Sequence, residues 1–198
     1  MLVEGVLAGA AGAGHDTELL QLDEHVTAFV RDCRRCRGST GNCTIADGYE
    51  RLLHDAVLPA EALVLGTPIY WYGMSGQLKT FFDRLFCYIA ASHPAADEVI
   101  EALMGKRIVL VLSSEETYAG AELGIVHQVQ EYARYTHSAL VGVVRGFGNR
   151  RGDVHLDPAG PMAEARRVGA TLADARYTDY RIDTPRSGSV WAPGAIDA

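Results

Sequence analysis

A chain of 198 residues, 48% hydrophobic and with a formal net charge of −7, can bury one sizeable core and has the wrong sign for a nucleic-acid surface. No apolar run approaches the roughly 18–20 residues of a bilayer-crossing helix, and the apolar opening carries Glu4 with no basic leader. Neither a membrane span nor a secretory signal is therefore expected, and the cytoplasm is the expected location.

In chain order, Leu2, Val3, Val6, Leu7, Ala10 and Ala11 make an apolar stripe at helical spacing, ended by Gly12 and Gly14. Residues 17–22, with Leu19, Leu20 and Leu22, read as a short strand. Residues 23–44 are polar and irregular and hold Cys33, Cys36 and Cys43, a redox or metal question for a reducing compartment rather than a disulfide framework. Asp47 can cap a helix through His54, which packs Leu52 and Leu53 before Pro59 breaks it. Residues 62–66 form an unbroken apolar run, the pattern of a parallel strand covered on both faces, and Pro68, lacking an N–H, is expected to end its ladder.

Ser75 then caps a helix that turns Leu78, Phe81, Phe82, Leu85, Phe86 and Ile89 inward and Lys79, Asp83 and Arg84 outward. A connection through Pro94 leads to a short helix over 97–104. Residues 108–112 are the clearest buried strand and end in a polar loop from Ser113. A helix over 123–137 and a strand over 140–144 follow, then a loop over 146–152. Asp157 and Pro158 are expected to open the last helix, with Met162, Val168 and Leu172 on its inner face. From residue 183 onward Pro185, Gly188, Pro193 and Gly194 mark a tail without regular structure, in which Trp191 is the group able to dock on a neighbour. Residues 1–182 are thus read as one domain and 183–198 as an irregular tail.

Strands alternating with helices specify an α/β, doubly wound, largely parallel sheet. Such sheets bind ligands at the carboxyl ends of their strands, which singles out two loops. The first holds Thr67, Pro68, Ile69, Tyr70, Trp71, Tyr72, Gly73 and Met74; its aromatics offer flat faces beside a glycine where backbone can approach a planar ligand, or else they roof the core. The second begins Ser113, Ser114, Glu115.

The run Thr-Pro-Ile-Tyr-Trp-Tyr-Gly-Met-Ser-Gly-Gln-Leu-Lys-Thr-Phe-Phe-Asp-Arg over 67–84 resembles the flavin-loop signature of the flavodoxin-like NAD(P)H-dependent FMN reductase and quinone reductase superfamily. The likeness continues through Ser-Ser-Glu-Glu-Thr over 113–117 and, more weakly, through 146–153. It implies that the amides of residues 67–74 and an aromatic lie against the isoalloxazine ring of FMN, with Ser113, Ser114 and Glu115 on its other side. It also implies hydride transfer from NAD(P)H through FMN to a flavin, quinone or similar small acceptor, in a homo-oligomer. No catalytic acid or base is assigned, because the cofactor carries that chemistry.

The resemblance implies strand order 2-1-3-4-5, in which a central first strand and a Gly/Ser-rich phosphate loop precede the first helix. This chain opens inside that helix, so both are expected to be missing. Either its start is internal to a longer product or the element has been lost, and in the second case a flavin-free structural or partner-binding remnant is the competing reading. Cys33-x2-Cys36-x6-Cys43 resembles part of the cysteine cluster of iron–sulfur flavoproteins, which use four thiolates. Gly38 and Ser39 stand where a further cysteine would, so free thiols are expected and no metal is assigned.

Overall fold

The computed structural model describes residues 1–31, 35–118 and 120–176; the expectations placed on Cys33 and on the tail from residue 183, Trp191 included, lie outside them. Helix α1 (Leu2–Gly12) is followed by an irregular stretch and a single turn, α2 (Leu22–His25). Helix α3 (Tyr49–Arg51) continues into a π-helical stretch, Leu52–Val57. Strand β1 (Ala62–Tyr70), the two-residue β2 (Gly73–Met74) and helices α4 (Gly76–Tyr88) and α5 (Ala96–Leu103) come next. The described residues end with β3 (Arg107–Ser114), α6 (Leu123–Tyr135), β4 (Ala139–Phe147), a 3₁₀ turn (Asp153–Leu156) and α7 (Pro161–Thr171).

Among the described residues the sheet has the order β2-β1-β3-β4, parallel from β1 to β4, with β2 folding back antiparallel on the end of β1. Alternation along β3 divides the core between the two faces. Ile108, Leu110 and Leu112 pack with Leu78 and Phe81 of α4 and Ile125 and Val129 of α6, whereas Val109 and Val111 pack with Val6 of α1 and Ala165 and Val168 of α7. Helices thus cover both faces, the doubly wound α/β arrangement read from the sequence. Helices α1 and α7 touch backbone to backbone at two glycines: a Cβ on Gly9 would lie 2.0 Å from the Arg166 carbonyl oxygen, and one on Gly169 1.9 Å from that of Val6.

Several expectations are corrected. Residues 17–22 form no strand, because a strand needs a bonded neighbour and, among the described residues, no hydrogen bond reaches the backbone of residues 16–20. Pro68 does not end β1, which runs on to Tyr70 with Pro68 in register with Ser113; proline is tolerated because, among the described residues, the far edge of this strand carries no ladder there. For the same reason β1 is half-buried rather than covered, with only Leu65 and Thr67 fully buried. The last helix opens at Pro161 after Gly160 in the left-handed region, while Asp157 accepts hydrogen bonds from the Phe147 and Ala159 amides, both at 2.9 Å.

Helical spacing also misplaced two side chains of α4. Phe86 is exposed, with the Arg37 guanidinium over its ring, and Arg84 is buried. What draws Arg84 in is Asp47, which reaches it with a two-pronged ion pair at 2.7 and 3.0 Å. The same guanidinium donates to the Ala28 carbonyl and lies 4.6 Å from the centre of the Tyr49 ring. Asp47 also accepts from the amides of Thr27, Ala28 and Tyr49, so one buried pair ties the irregular 26–47 segment to α4. Burial pushes the Asp47 carboxyl up, but the hydrogen bond and charge of Arg84 and the Tyr49 and Thr27 amides outweigh it and hold the group below its usual range.

Removing one partner of such a pair strands the other, so Asp47→Ala is expected to cost about 3–5 kcal/mol in urea unfolding. A carboxyl held low in the folded state stabilises above its unfolded pKa of about 3.9 and loses that contribution as pH falls through the folded value. The gap between wild type and Asp47→Ala should therefore be full at neutral pH and shrink below about pH 4.

Candidate active site

The open edge of β1 lines a cleft of about 2400 Å³ that reaches the carboxyl rim of the sheet. The cleft takes in Thr67, Pro68, Ile69, Tyr70, Trp71 and Tyr72 after β1, and Ser113, Ser114 and Glu115 after β3. Strand register explains the meeting, since Thr67 and Pro68 pair with Leu112 and Ser113. Gly73 and Met74 stand behind it: Gly73 pairs with Tyr70, and Met74 is buried in the core. The first turn of α1 lies over the same rim, because a Cβ on Gly66 would meet Val3 Cγ2 at 2.4 Å and one on Gly146 would meet Leu2 Cδ1 at 2.9 Å.

Residues 70–73 close a two-residue hairpin whose central positions, Trp71 and Tyr72, have φ of 50° and 60°. Tight hairpins need this left-handed backbone and ordinarily draw Asn and Gly for it; aromatic side chains cost about 1–2 kcal/mol each in that region. What holds the turn is Thr67, whose buried hydroxyl accepts the Ser75 amide at 2.8 Å and donates to the Pro68 carbonyl at 2.8 Å, joining the two ends of the loop. Ser75 in turn caps α4 through the Leu78 amide. The aromatics do not roof the core: Trp71 is 97% exposed, and Tyr70 and Tyr72 are exposed as well. Strain of this kind collects where a loop is shaped for a ligand rather than for its own stability.

The second loop is anchored from below by a residue outside the expected set. Arg145 donates to the carbonyls of Glu116 and Tyr118, both at 2.9 Å, and is ion-paired with the buried Glu122. Tyr118 meets Tyr72 at 6.1 Å between ring centroids, so the two rim loops touch. Its hydroxyl is held above the ordinary range by burial and then by Tyr72 beside it. Arg150 and Arg151, from the loop after β4, also border the cleft. Tyr118 carried no sequence signal of its own; Arg145 sits in an apolar run, where a charged residue was the available clue.

Away from the rim, Cys36, Cys43 and Cys87 are free thiols. Cys87, on α4, lies beside Cys43, and burial and then that neighbouring thiol push it up to about 11. Among the described residues no group of three His, Cys, Asp or Glu side chains is arranged to hold a metal ion. No helix among them is long and apolar enough to cross a membrane.

A family model described as the flavodoxin-like fold matches residues 2–144. A Bacillus subtilis (strain 168) protein, YwqN, named as an NAD(P)H-dependent FMN-containing oxidoreductase, is 28% identical over 161 residues, 81% of this chain and 86% of its own. An iron–sulfur flavoprotein of Archaeoglobus fulgidus is 24% identical over 189 residues, 92% of this chain and 76% of its own. The crystal structure of an azoreductase from Bacillus anthracis strain Sterne superposes with a TM-score of 0.59 over 86% of this chain and 89% of that one at 19% identity, a likeness of fold.

Because Trp71 touches little and sits at a positive φ, Trp71→Asn should stabilise the protein by about 1 kcal/mol in urea unfolding. An equal loss would mean that the indole holds the turn.

Proposed function

The chain belongs to the family with the flavodoxin-like fold, and from that membership we propose that it is an FMN-dependent oxidoreductase moving hydride from NAD(P)H to a flavin, quinone or similar small acceptor. The observation that carries this reading is the meeting of the two rim loops, 67–72 and 113–116, in one cleft beside an exposed aromatic hairpin held in a strained backbone. FMN is a flat ring with a polar edge on a phosphorylated tail, and the residues present fit both parts. The backbone of residues 67–72 offers polar groups to the ring edge, with Tyr70, Trp71 and Tyr72 as flat apolar surfaces. Ser113, Ser114 and Glu115 would bound the ring from the next strand, while Gly73 and Met74 fix the hairpin from behind. The amino end of α1 and the Arg150 and Arg151 guanidiniums suit the anionic tail.

When bound, FMN supplies the two-electron chemistry, and the chain supplies position and electrostatics. Thr67 holds the hairpin at a fixed height by tying Pro68 to Ser75, so the rim amides are set before a ring arrives. Arg145 does the same for the second loop through the Glu116 and Tyr118 carbonyls. We further place the protein in the cytoplasm, where NAD(P)H is available and the thiols of Cys36, Cys43 and Cys87 stay reduced. We also expect a homo-oligomer that covers the exposed aromatic hairpin, a reading sedimentation velocity can refuse by finding a monomer at every concentration.

Saturation with FMN at a hundred times its Kd should stabilise the protein by about 2.7 kcal/mol, and the loaded protein should oxidise NAD(P)H in the presence of a small quinone. Trp71→Asn, though more stable, should bind FMN about 2- to 12-fold more weakly, the worth of one aromatic contact. Unchanged melting with FMN, together with no flavin-dependent NAD(P)H oxidation, would remove the assignment.

A further inference from the structure

The three described thiols take no part in the proposed flavin chemistry. Residues 36–44 form a small hairpin: the Thr44 amide donates to the Cys36 carbonyl and the Gly38 amide to that of Asn42, both at 2.7 Å, with Arg37 and Cys43 paired between them. The hairpin is pressed onto the turn that follows α4. A Cβ on Gly41 would lie 1.7 Å from the Ser92 carbonyl oxygen, and Arg37 donates to the Ser92 hydroxyl at 3.2 Å while its guanidinium lies over the Phe86 ring. Cys43 is thereby packed against the core at the end of α4, where Cys87 is buried.

Three side chains of α4 converge on the Cys43 sulfur. Arg84 donates to it at 3.8 Å through the same Nη2 that holds Asp47. The Tyr88 hydroxyl, buried and without a partner at ordinary hydrogen-bond distance, is held above its usual range by burial and then by this thiol. Cys87, pushed up to about 11, is a protonated thiol at neutral pH, and it is only 3% exposed. Cys43 is half-buried. A small oxidant therefore meets Cys43 first, at a sulfur where a guanidinium already stands, and Cys87 is the reductant held beside whatever Cys43 becomes.

We propose that Cys43 and Cys87 are a thiol oxidation site for hydroperoxides, closing to a reversible disulfide that staples the 36–44 hairpin to α4. In the first step the Cys43 sulfur attacks one peroxide oxygen, the O–O bond breaks, and the other oxygen leaves as water or alcohol with the thiol proton. Cys43 is then a sulfenic acid. In the second step the Cys87 sulfur attacks the Cys43 sulfur, the S–O bond breaks, and the hydroxyl leaves as water with the Cys87 proton. The two thiols together give up two electrons, and one hydroperoxide is reduced. The site does not rest on the flavin reading, because Cys87 lies toward the far end of α4 from the rim, about 17 Å along the helix axis.

The test treats the reduced full chain with one equivalent of hydrogen peroxide, quenches it with an alkylating agent, and reads the intact mass and the peptides. The expected result is loss of two alkylatable thiols out of the four, a peptide pair linked through Cys43 and Cys87, and recovery of both thiols with dithiothreitol. Cys33→Ser combined with Cys36→Ser should leave that link in place. Cys43→Ser should consume peroxide about tenfold or more slowly, and Cys87→Ser should carry on Cys43 a sulfenic acid that dimedone traps. A link from Cys43 to Cys36 or Cys33 in place of Cys87 overturns the proposal. So does oxidation beyond the sulfenic acid with no link, or iron or zinc held in stoichiometric amount by the purified protein and released when these thiols are alkylated. FMN binding is scored separately by melting, so a failure of either reading is visible without the other.

Discussion

Among the described residues, strand β1 is laddered from Ala62 to Pro68 along one side only, and much of the shape of the candidate site follows from that. A parallel strand inside an α/β layer is ordinarily bonded on both edges and hidden on both faces. Here the neighbour on one edge is a cleft, so β1 is half-buried although every residue from Ala62 to Leu65 is apolar. Pro68 can continue the strand because no ladder on that side asks for its N–H. The same opening carries the cleft to the carboxyl rim, where the loops after β1 and β3 meet.

Rigidity at the rim comes from polar groups placed just beneath it. Thr67 and Ser75 close the base of the aromatic hairpin, Arg145 pins the loop after β3, and the Arg84 and Asp47 pair ties the long irregular segment to the helix that follows the hairpin. Trp71 and Tyr72 can then be held in a backbone region their side chains disfavour, because the ends of the turn are fixed independently of its tip. On the proposed reading, in which the redox chemistry belongs to FMN, this is where selection would act: on backbone amides and flat surfaces held in place rather than on titrating side chains.

The fold was legible where one interaction dominated. Residues 108–112 are apolar throughout and are buried on both faces, and Ser75 caps its helix through a local hydrogen bond. The site was legible as a place, since the carboxyl rim follows from sheet topology, but its internal division was not. Nothing in the spacing of Gly73 and Met74 separates them from Tyr72; that depends on a hairpin whose left-handed residues are aromatic instead of Asn and Gly. Arg84 was misread because helical periodicity sorts by hydrophobicity, and it cannot foresee that Asp47, 37 positions away, makes burial of a guanidinium favourable. Residues 17–22 have a strand's composition and lack a strand's neighbour, which no local pattern records.

The central claim is that the rim formed by residues 67–72 and 113–116 receives the flavin ring. Residue-resolved amide hydrogen exchange with and without saturating FMN tests it most directly. The account predicts slower exchange at Ile69, Tyr70, Trp71, Tyr72 and Ser114, with residues 16–20 unaffected. Exchange at the rim that stays the same while FMN protects some other surface would contradict it.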